Sequence, residues 1–330
     1  MTDMRVGLGI SEDLPIAVQQ DVAREAEAAG LSSIWTNEAR GRDALLVCQA
    51  WAAATTTLEV GVAVLPIWTR SPAQIAMGAA TLQEASGGRF HLGLGVSHPG
   101  TMGPWHHANF RKPLTAAREH LEVLDQLFRG ESSNVAGAVT GSRHFRLGLT
   151  PLPPPPAVHL GAMGPRMLDL AADKATGAFL NWSGPTEVAR AVAAMGQVRK
   201  DATSTTYVRI AVDPDVAAAR ESLATEFGRY AALPAYAAHF ERQGLAGAVA
   251  ALKAAHKGGR TPGSAVNDDQ LAIVGWWESP ADDPGAALHE YRNGALDHLV
   301  ARVVVVGSDA ATSIRHVITA VASASIRPSA

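Results

Sequence analysis

The sequence predicts an α/β fold, a (β/α)8 barrel in which eight parallel strands alternate with helices. Eight short apolar segments recur along the 330 residues, which is the strand number of such a barrel. The first four are spaced by roughly 30 residues, the length of one strand–helix–strand unit. Residues 15–29, between the first two, have an amphipathic helical pattern and are followed by Gly30, a typical helix end. We expect one barrel domain over residues 1–330.

The predicted strands comprise residues 4–10, 33–36, 58–65, 90–96, 158–161, 178–181, 207–212 and 298–306. Two stretches interrupt the alternation. Residues 130–156 are rich in glycine and end in a run of prolines, which predicts an extended, stiff segment. Residues 213–297 have mostly helical patterns. We expect both stretches to be insertions at strand ends, after the fourth and the seventh strand.

The composition argues against several classes of partner. The chain has 28 Lys and Arg against 31 Asp and Glu, so it has no excess of positive charge for nucleic acid. The N-terminus lacks the pattern of a signal peptide, and no apolar run reaches the ~20 residues that a membrane span needs. Cys48 is the only cysteine, which excludes an internal disulfide, and we expect it to pack inside a helix. These features predict a cytoplasmic protein that acts on a small molecule.

The fourth predicted strand lies in residues 84–97, EASGGRFHLGLGVS, and is the most informative segment. It ends in Gly93, Gly95 and the polar Ser97, at the end of a barrel strand where active sites occur. Glycines there would let a flat ligand approach the backbone. A core strand softened by glycine is the alternative. The third glycine of a dinucleotide-binding fingerprint is missing.

A second candidate is the loop Gly161, Ala162, Met163, Gly164 and Pro165, which follows a strand and precedes a helix. Free backbone N–H groups and the positive end of a helix would then face one point, which suits a phosphate. Pro165 fits the first helical position because its missing N–H costs nothing there. An ordinary strand-to-helix turn is the alternative.

Asn37 and Glu38 follow the second predicted strand. A carboxylate at that position could position a ring or move a proton. Alternatively, Glu38 caps a helix or forms a salt bridge with Arg40 or Arg42.

His98, Trp105, His106 and His107 cluster after the fourth strand. Adjacent histidines cannot both face a metal from one side of a helix, and no HExxH pattern accompanies them, so a metal site is not predicted. These histidines are either loop groups near a substrate or exposed residues without a role. No P-loop, GxSxG or reactive-cysteine pattern occurs, so the sequence does not support hydrolysis by a nucleophile.

Four strings together resemble the luciferase-like superfamily of flavin and deazaflavin barrels, in particular its methylenetetrahydromethanopterin reductase-like members, which use coenzyme F420. The strings are WTRSPAQIAMGAATLQEASGGRFHLGLG, GAMGPRML, GAFLNW and GALDHLVARVVV, and they occur in the expected order over nearly the whole chain. The resemblance implies a cofactor phosphate on residues 161–165. It also implies a ring held against a bulged third strand with a non-prolyl cis peptide, which the match places at Ala63–Val64. Identical subunits are expected to pair through helices near the second and third strands.

The resemblance has limits at the substrate. The reductases carry acids on the first strand and after the second and fourth strands, where this chain has Gly9, Asn37 and His98. The resemblance therefore predicts the fold and the cofactor of this chain better than it predicts a pterin substrate. The predicted proton donors are Glu38 and His98, with His107 in reserve. The predicted cofactor-binding residues are Asn37, Ala63, Val64, Gly95, Ser97, Gly161, Ala162, Met163, Gly164 and Pro165.

The resulting functional hypothesis is hydride transfer between coenzyme F420 and a small organic substrate. Two alternatives remain. One is an FMN-dependent monooxygenase on the same barrel, which needs a flavin reductase as partner. The other is a barrel that binds flavin or deazaflavin without turnover. The identity of the bound cofactor separates the first two, and turnover separates the third.

Overall fold

The computed structural model describes residues 4–11, 13–280 and 284–326. Its strands, in chain order, are β1 Arg5–Gly9, β2 Ser33–Thr36, β3 Glu59–Pro66, β4 Phe90–Gly95, β5 Asn134–Val135, β6 Ser142–Arg143, β7 Ala157–Gly161, β8 Gly177–Asn181, β9 Thr203–Val212, β10 Gly275–Glu278 and β11 His298–Val303. Eight of them form a closed parallel barrel in the order β1, β2, β3, β4, β7, β8, β9, β11, with β11 pairing back to β1. The predicted (β/α)8 barrel is confirmed.

The helices are α1 Ile16–Ala28, α2 Ala44–Ala54, α3 Pro72–Ala85, α4 Pro99–His106, α5 Pro113–Phe128, α6 Pro165–Lys174, α7 Pro185–Val198, α8 Val216–Ala231, α9 Pro234–Arg242, α10 Ala246–Lys257, α11 Asp268–Ala272, α12 Gly285–Asn293 and α13 Ala310–Ile326. Several begin where the sequence supplies a cap. The Asp43 carboxylate accepts the Leu45 N–H before α2, and the Ser71 hydroxyl accepts the Gln74 N–H before α3. Within the described residues, no helix is long and apolar enough to cross a membrane.

Both predicted insertions lie where expected. The first, residues 130–156, lies between β4 and β7, after α5, and contains the short antiparallel hairpin β5–β6. The second follows β9, and its helices bury a separate apolar cluster that includes Leu223, Phe227 and Phe240. This second insertion is not purely helical, because β10 pairs with the upper half of β9, beyond the part that pairs with β8. The barrel wall is thereby extended at the carboxyl end of β9.

The barrel interior has three levels. A polar cluster near the amino ends of the strands contains Glu59, His91, His159 and His298. Above it lies an apolar plug, which we define as Trp35, Ala63, Phe179, Tyr207 and Val300. Arginine and asparagine side chains occupy the mouth, at the carboxyl ends of the strands. Cys48 is buried in α2 as expected, and burial raises the pKa of its thiol.

Candidate functional site

The bulge in β3 is the most distinctive backbone feature of the barrel mouth. The Ala63–Val64 peptide is cis, as predicted, and the pairing register with β4 shifts between Val62 and Leu65. The Glu38 N–H donates to the Val64 carbonyl at 3.3 Å, which ties the end of β2 to the bulge. Ala63 is buried in the apolar plug, whereas Val64 is only partly buried. Val64 therefore forms part of the wall of the mouth.

The glycines of β4 lie directly against this bulge. A Cβ at Gly93 would come within 2.3 Å of the Val62 carbonyl oxygen, and one at Gly95 within 2.5 Å of Val64 Cγ2. Our expectation that these glycines leave room for a ligand ring is wrong, because the atoms that exclude a side chain there belong to β3. Gly161 also lies against Val64, since a Cβ added at Gly161 would lie 2.9 Å from Val64 Cγ1. The glycines therefore affect the mouth only indirectly, because their missing side chains leave space for the bulge of β3.

The loop at residues 161–165 leads into α6 as predicted. Gly164 is the N-cap and provides no side-chain cap, Pro165 occupies the first turn, and a Cβ at Gly164 would meet no atom within 4 Å. The start of α6 therefore has no side-chain cap and has open space beside Gly164, which suits an anion, although the Met167 N–H already donates to the Gly164 carbonyl at 3.0 Å. Ala162 differs from the expectation, because it is buried and its N–H donates to the Phe179 carbonyl at 3.1 Å.

Arg242, at the end of α9, adds a positive charge to this loop. Its Nη2 donates to the Met163 carbonyl at 2.7 Å. Its contribution was missed because the residue lies 79 positions further along the chain, inside the second insertion, where no sequence motif marks it.

Glu38 is held by an ion pair. Its carboxylate accepts two N–H groups of Arg70, with Arg70 Nη2 at 2.9 Å, and the Ala44 N–H at 3.2 Å. Arg70 also contacts the Asp43 carboxylate at 2.6 Å, and hydrogen bonding to Glu38 raises the Arg70 pKa. The salt bridge that we considered as an alternative thus forms with Arg70, whereas Arg42 donates to the Asp13 carbonyl.

The candidate histidines occupy different surroundings. A shallow cleft of about 390 Å³ beside the ends of β2 and β3 is lined by Glu38, Arg70 and His106, among others. His107, the predicted reserve donor, is exposed, and the lining of this cleft includes its neighbour His106 instead. His98 is half-buried and caps α4, since its Nδ1 accepts the Gly100 N–H at 3.0 Å. Ser97 precedes it as an exposed residue with φ of 55°.

Two arginines inside the mouth were missed by the sequence analysis. Arg302 of β11 donates to the Asn37 Oδ1 at 2.8 Å and to the Ile10 carbonyl. Arg209 of β9 is buried, donates to Asn181 Oδ1 and lies 4.2 Å from the centre of the Trp182 ring. Each arginine follows an inward-facing residue of an apolar strand by two positions. Because side chains alternate between the two faces of a strand, this spacing predicts that both arginines also face the barrel interior.

Within the part of the chain that the structure describes, no cluster of three or more His, Cys, Asp or Glu side chains could hold a metal ion.

Comparison with known proteins gives a consistent picture. The family model described as luciferase-like monooxygenase matches residues 2–311. A Mycobacterium tuberculosis protein named as a coenzyme F420-dependent oxidoreductase is 34% identical over 169 residues, which are 46% of this chain and 48% of that protein. The chain thus spans about half the length of this relative. The 5,10-methylenetetrahydromethanopterin reductase of Archaeoglobus fulgidus is 30% identical over 227 residues, covering 66% of this chain and 68% of the reductase.

Solved structures agree on the fold. The coenzyme F420-dependent tetrahydromethanopterin reductase of Methanopyrus kandleri superimposes with a TM-score of 0.81 at 21% identity, covering 97% of this chain and 98% of the reductase. An F420-dependent secondary alcohol dehydrogenase, solved with an F420–acetone adduct, superimposes with a TM-score of 0.78 at 15% identity, covering 98% and 99% of the two chains.

Proposed function

The chain belongs to the luciferase-like monooxygenase family, and from that premise we propose that it is a coenzyme F420-dependent oxidoreductase. It transfers a hydride between the deazaflavin and a small organic substrate. One observation supports this function above the others: the cis bulge at Ala63–Val64 and the uncapped start of α6 lie at the same mouth of the barrel. They provide a wall for a planar ring and a position for a phosphate.

The residues present fit such a cofactor. The open space in front of Gly164 leaves room for a phosphate at the α6 N-terminus, and Arg242 supplies a matching charge. Val64 offers a partly buried apolar surface to the ring. Gly95 and Gly161 keep that surface in place because each lies against the Val64 side chain. Ser97 and Asn37 follow β4 and β2, on either side of the bulged strand.

When bound, the reduced deazaflavin supplies a hydride to an electrophilic carbon of the substrate. The substrate atom that gains the electron pair then takes a proton, and the protein must provide it. His98 is suited to that step, because its Nδ1 already accepts a hydrogen bond and the ring proton of the neutral imidazole therefore lies on Nε2. Glu38 has three N–H donors on its carboxylate and holds Arg70 in position.

Fluorescence titration of the purified chain with coenzyme F420 and with FMN tests the cofactor assignment. We expect much tighter binding of F420. Equal or tighter binding of FMN would contradict the proposal and favour the FMN-dependent monooxygenase, and no binding of either would contradict both. Tight F420 binding without turnover of any hydride acceptor would favour the alternative of a barrel that binds the cofactor without catalysis.

A further inference from the structure

Resting on the proposed function, we infer that the substrate carries a carboxylate and that Arg302 binds it at the barrel mouth. The mouth contains two arginines. Arg209 and Arg302 are paired neighbours on β9 and β11. The side chain of each donates to residues at the carboxyl ends of strands, and Arg209 also donates to Glu226 of α8.

The charges of the two arginines are compensated differently. Arg209 forms an ion pair with Glu226 at 3.3 Å and lies over the Trp182 ring. Arg302 forms no ion pair with any described residue, and its two hydrogen-bond acceptors, the Ile10 carbonyl and the Asn37 amide oxygen, are both neutral. A guanidinium is always charged and has five N–H donors, so three of the donors of Arg302 have no acceptor among the residues that the structure describes.

Arg302 borders the apolar plug against which the cis bulge packs. Its guanidinium carbon lies 5.4 Å from the centre of the Tyr207 ring. Tyr207 belongs to the same apolar plug as Ala63, and Val64 packs against that plug. Arg302 and Val64 therefore both border the plug. A substrate held by Arg302 would lie within the mouth that the ring wall bounds.

A half-buried cation for which the described residues supply no counter-ion is costly, and an anionic ligand that hydrogen-bonds it relieves that cost. A carboxylate matches the planar fork of a guanidinium better than a neutral carbonyl does, since both oxygens can accept. Arg302 therefore selects for charge as well as shape.

Calorimetric titration of the full chain with benzoate and with its neutral analogue benzamide tests this inference. We expect benzoate to bind the wild type at least about tenfold more tightly. Arg302→Gln should abolish most of that preference. Asn37→Asp should do the same while keeping Arg302, because it puts a carboxylate where the amide oxygen lies 2.8 Å from the guanidinium. If Arg302→Gln fails to fold, Asn37→Asp decides the matter.

Arg315→Gln is the matched control, because Arg315 is an exposed arginine paired with Glu25 on the outer helices. It should keep the full preference. Equal affinity for the two probes, absence of saturable benzoate binding, or a preference that survives both mouth variants would overturn the inference. Displacement of benzoate by coenzyme F420 would overturn it as well, since Arg302 would then serve the cofactor. A chain that prefers benzoate but does not bind F420 contradicts the proposed function instead.

Discussion

At the scale of single residues, Val64 links the parts of the candidate site. Its carbonyl accepts the Glu38 N–H, and its side chain excludes any Cβ at Gly95 and Gly161. The sequence motifs correctly point to these glycines, but the neighbour expected for them, a ligand ring, is replaced by atoms of β3. The reason is physical: a strand sequence indicates where side chains are missing, whereas the atom that fills the space comes from another strand.

Gly164 offers a substitution whose effects on stability and binding have opposite signs. Gly164→Asp places a side-chain acceptor at the N-cap of α6, which should stabilise the helix. The same carboxylate repels the cofactor phosphate and occupies its donors, so F420 affinity should fall by at least about 1 kcal/mol. Thermal unfolding and fluorescence titration measure the two effects.

Gly164→Ala is the control for this substitution. It adds only a Cβ in open space and should leave affinity nearly unchanged. Equal F420 affinity in a folded Gly164→Asp variant would contradict the phosphate assignment.

The proton-transfer assignment is tested by turnover. His98→Asn keeps an acceptor for the Gly100 N–H but lacks a transferable proton, so we expect turnover to fall by about 10²-fold or more with F420 binding retained. Glu38→Gln should have a smaller effect, because Arg70 keeps its contact with Asp43. Steady-state rates and F420 titrations on both variants make the comparison. Near-full turnover in His98→Asn, or a larger loss in Glu38→Gln, would exclude His98 as the donor.

At the scale of elements, apolar runs located all eight barrel strands because each is buried on both faces. The start of β9 was placed too late, since residues 203–206 are Thr and Ser, yet most are buried in the barrel. The strand β10 was missed inside a helical insertion. The cis bulge was expected through resemblance alone, whereas Arg242 and Arg302 act through contacts 79 and 265 residues apart, which local patterns do not reveal.

The polar cluster at the amino ends of the strands predicts acid sensitivity. Burial lowers the pKa of His159 to about 3 and that of His298 well below its usual value, while hydrogen bonds from His91 and Arg5 outweigh the opposing effect of burial and lower the pKa of Glu59 to about 2. The buried histidines stay neutral while the unfolded chain takes up protons below pH ~6.5, so stability falls as pH is lowered from there. Glu59 adds to this loss only below pH ~4.3, where the unfolded carboxylate protonates.

Urea unfolding at pH 7 and pH 5 tests this prediction. His159→Gln keeps a polar side chain but cannot titrate, so it should lose less stability between the two pH values than the wild type. The difference should amount to roughly 1–2 kcal/mol. The exposed His256→Gln is the control and should behave like the wild type. Identical pH dependence in all three proteins would contradict the assignment.

At the scale of the whole molecule, the outer face of the barrel suggests how copies of the chain assemble. Leu46 on α2 and Met77 on α3 are large apolar side chains that are 67% and 52% exposed, on helices that contact each other. These helices flank β2 and β3, where the resemblance places the subunit interface. We expect a homodimer through this face, and Leu46→Glu combined with Met77→Glu should yield monomers. Light scattering measures the mass, and a monomeric wild type would contradict the expectation.

A crystal structure of the chain with coenzyme F420 tests the candidate site at the barrel mouth most directly. We predict that the ring lies against Val64 and that the phosphate accepts backbone N–H groups at the start of α6, beside Arg242. A ring placed away from the bulge, or a phosphate bound anywhere other than the α6 N-terminus, would contradict the account.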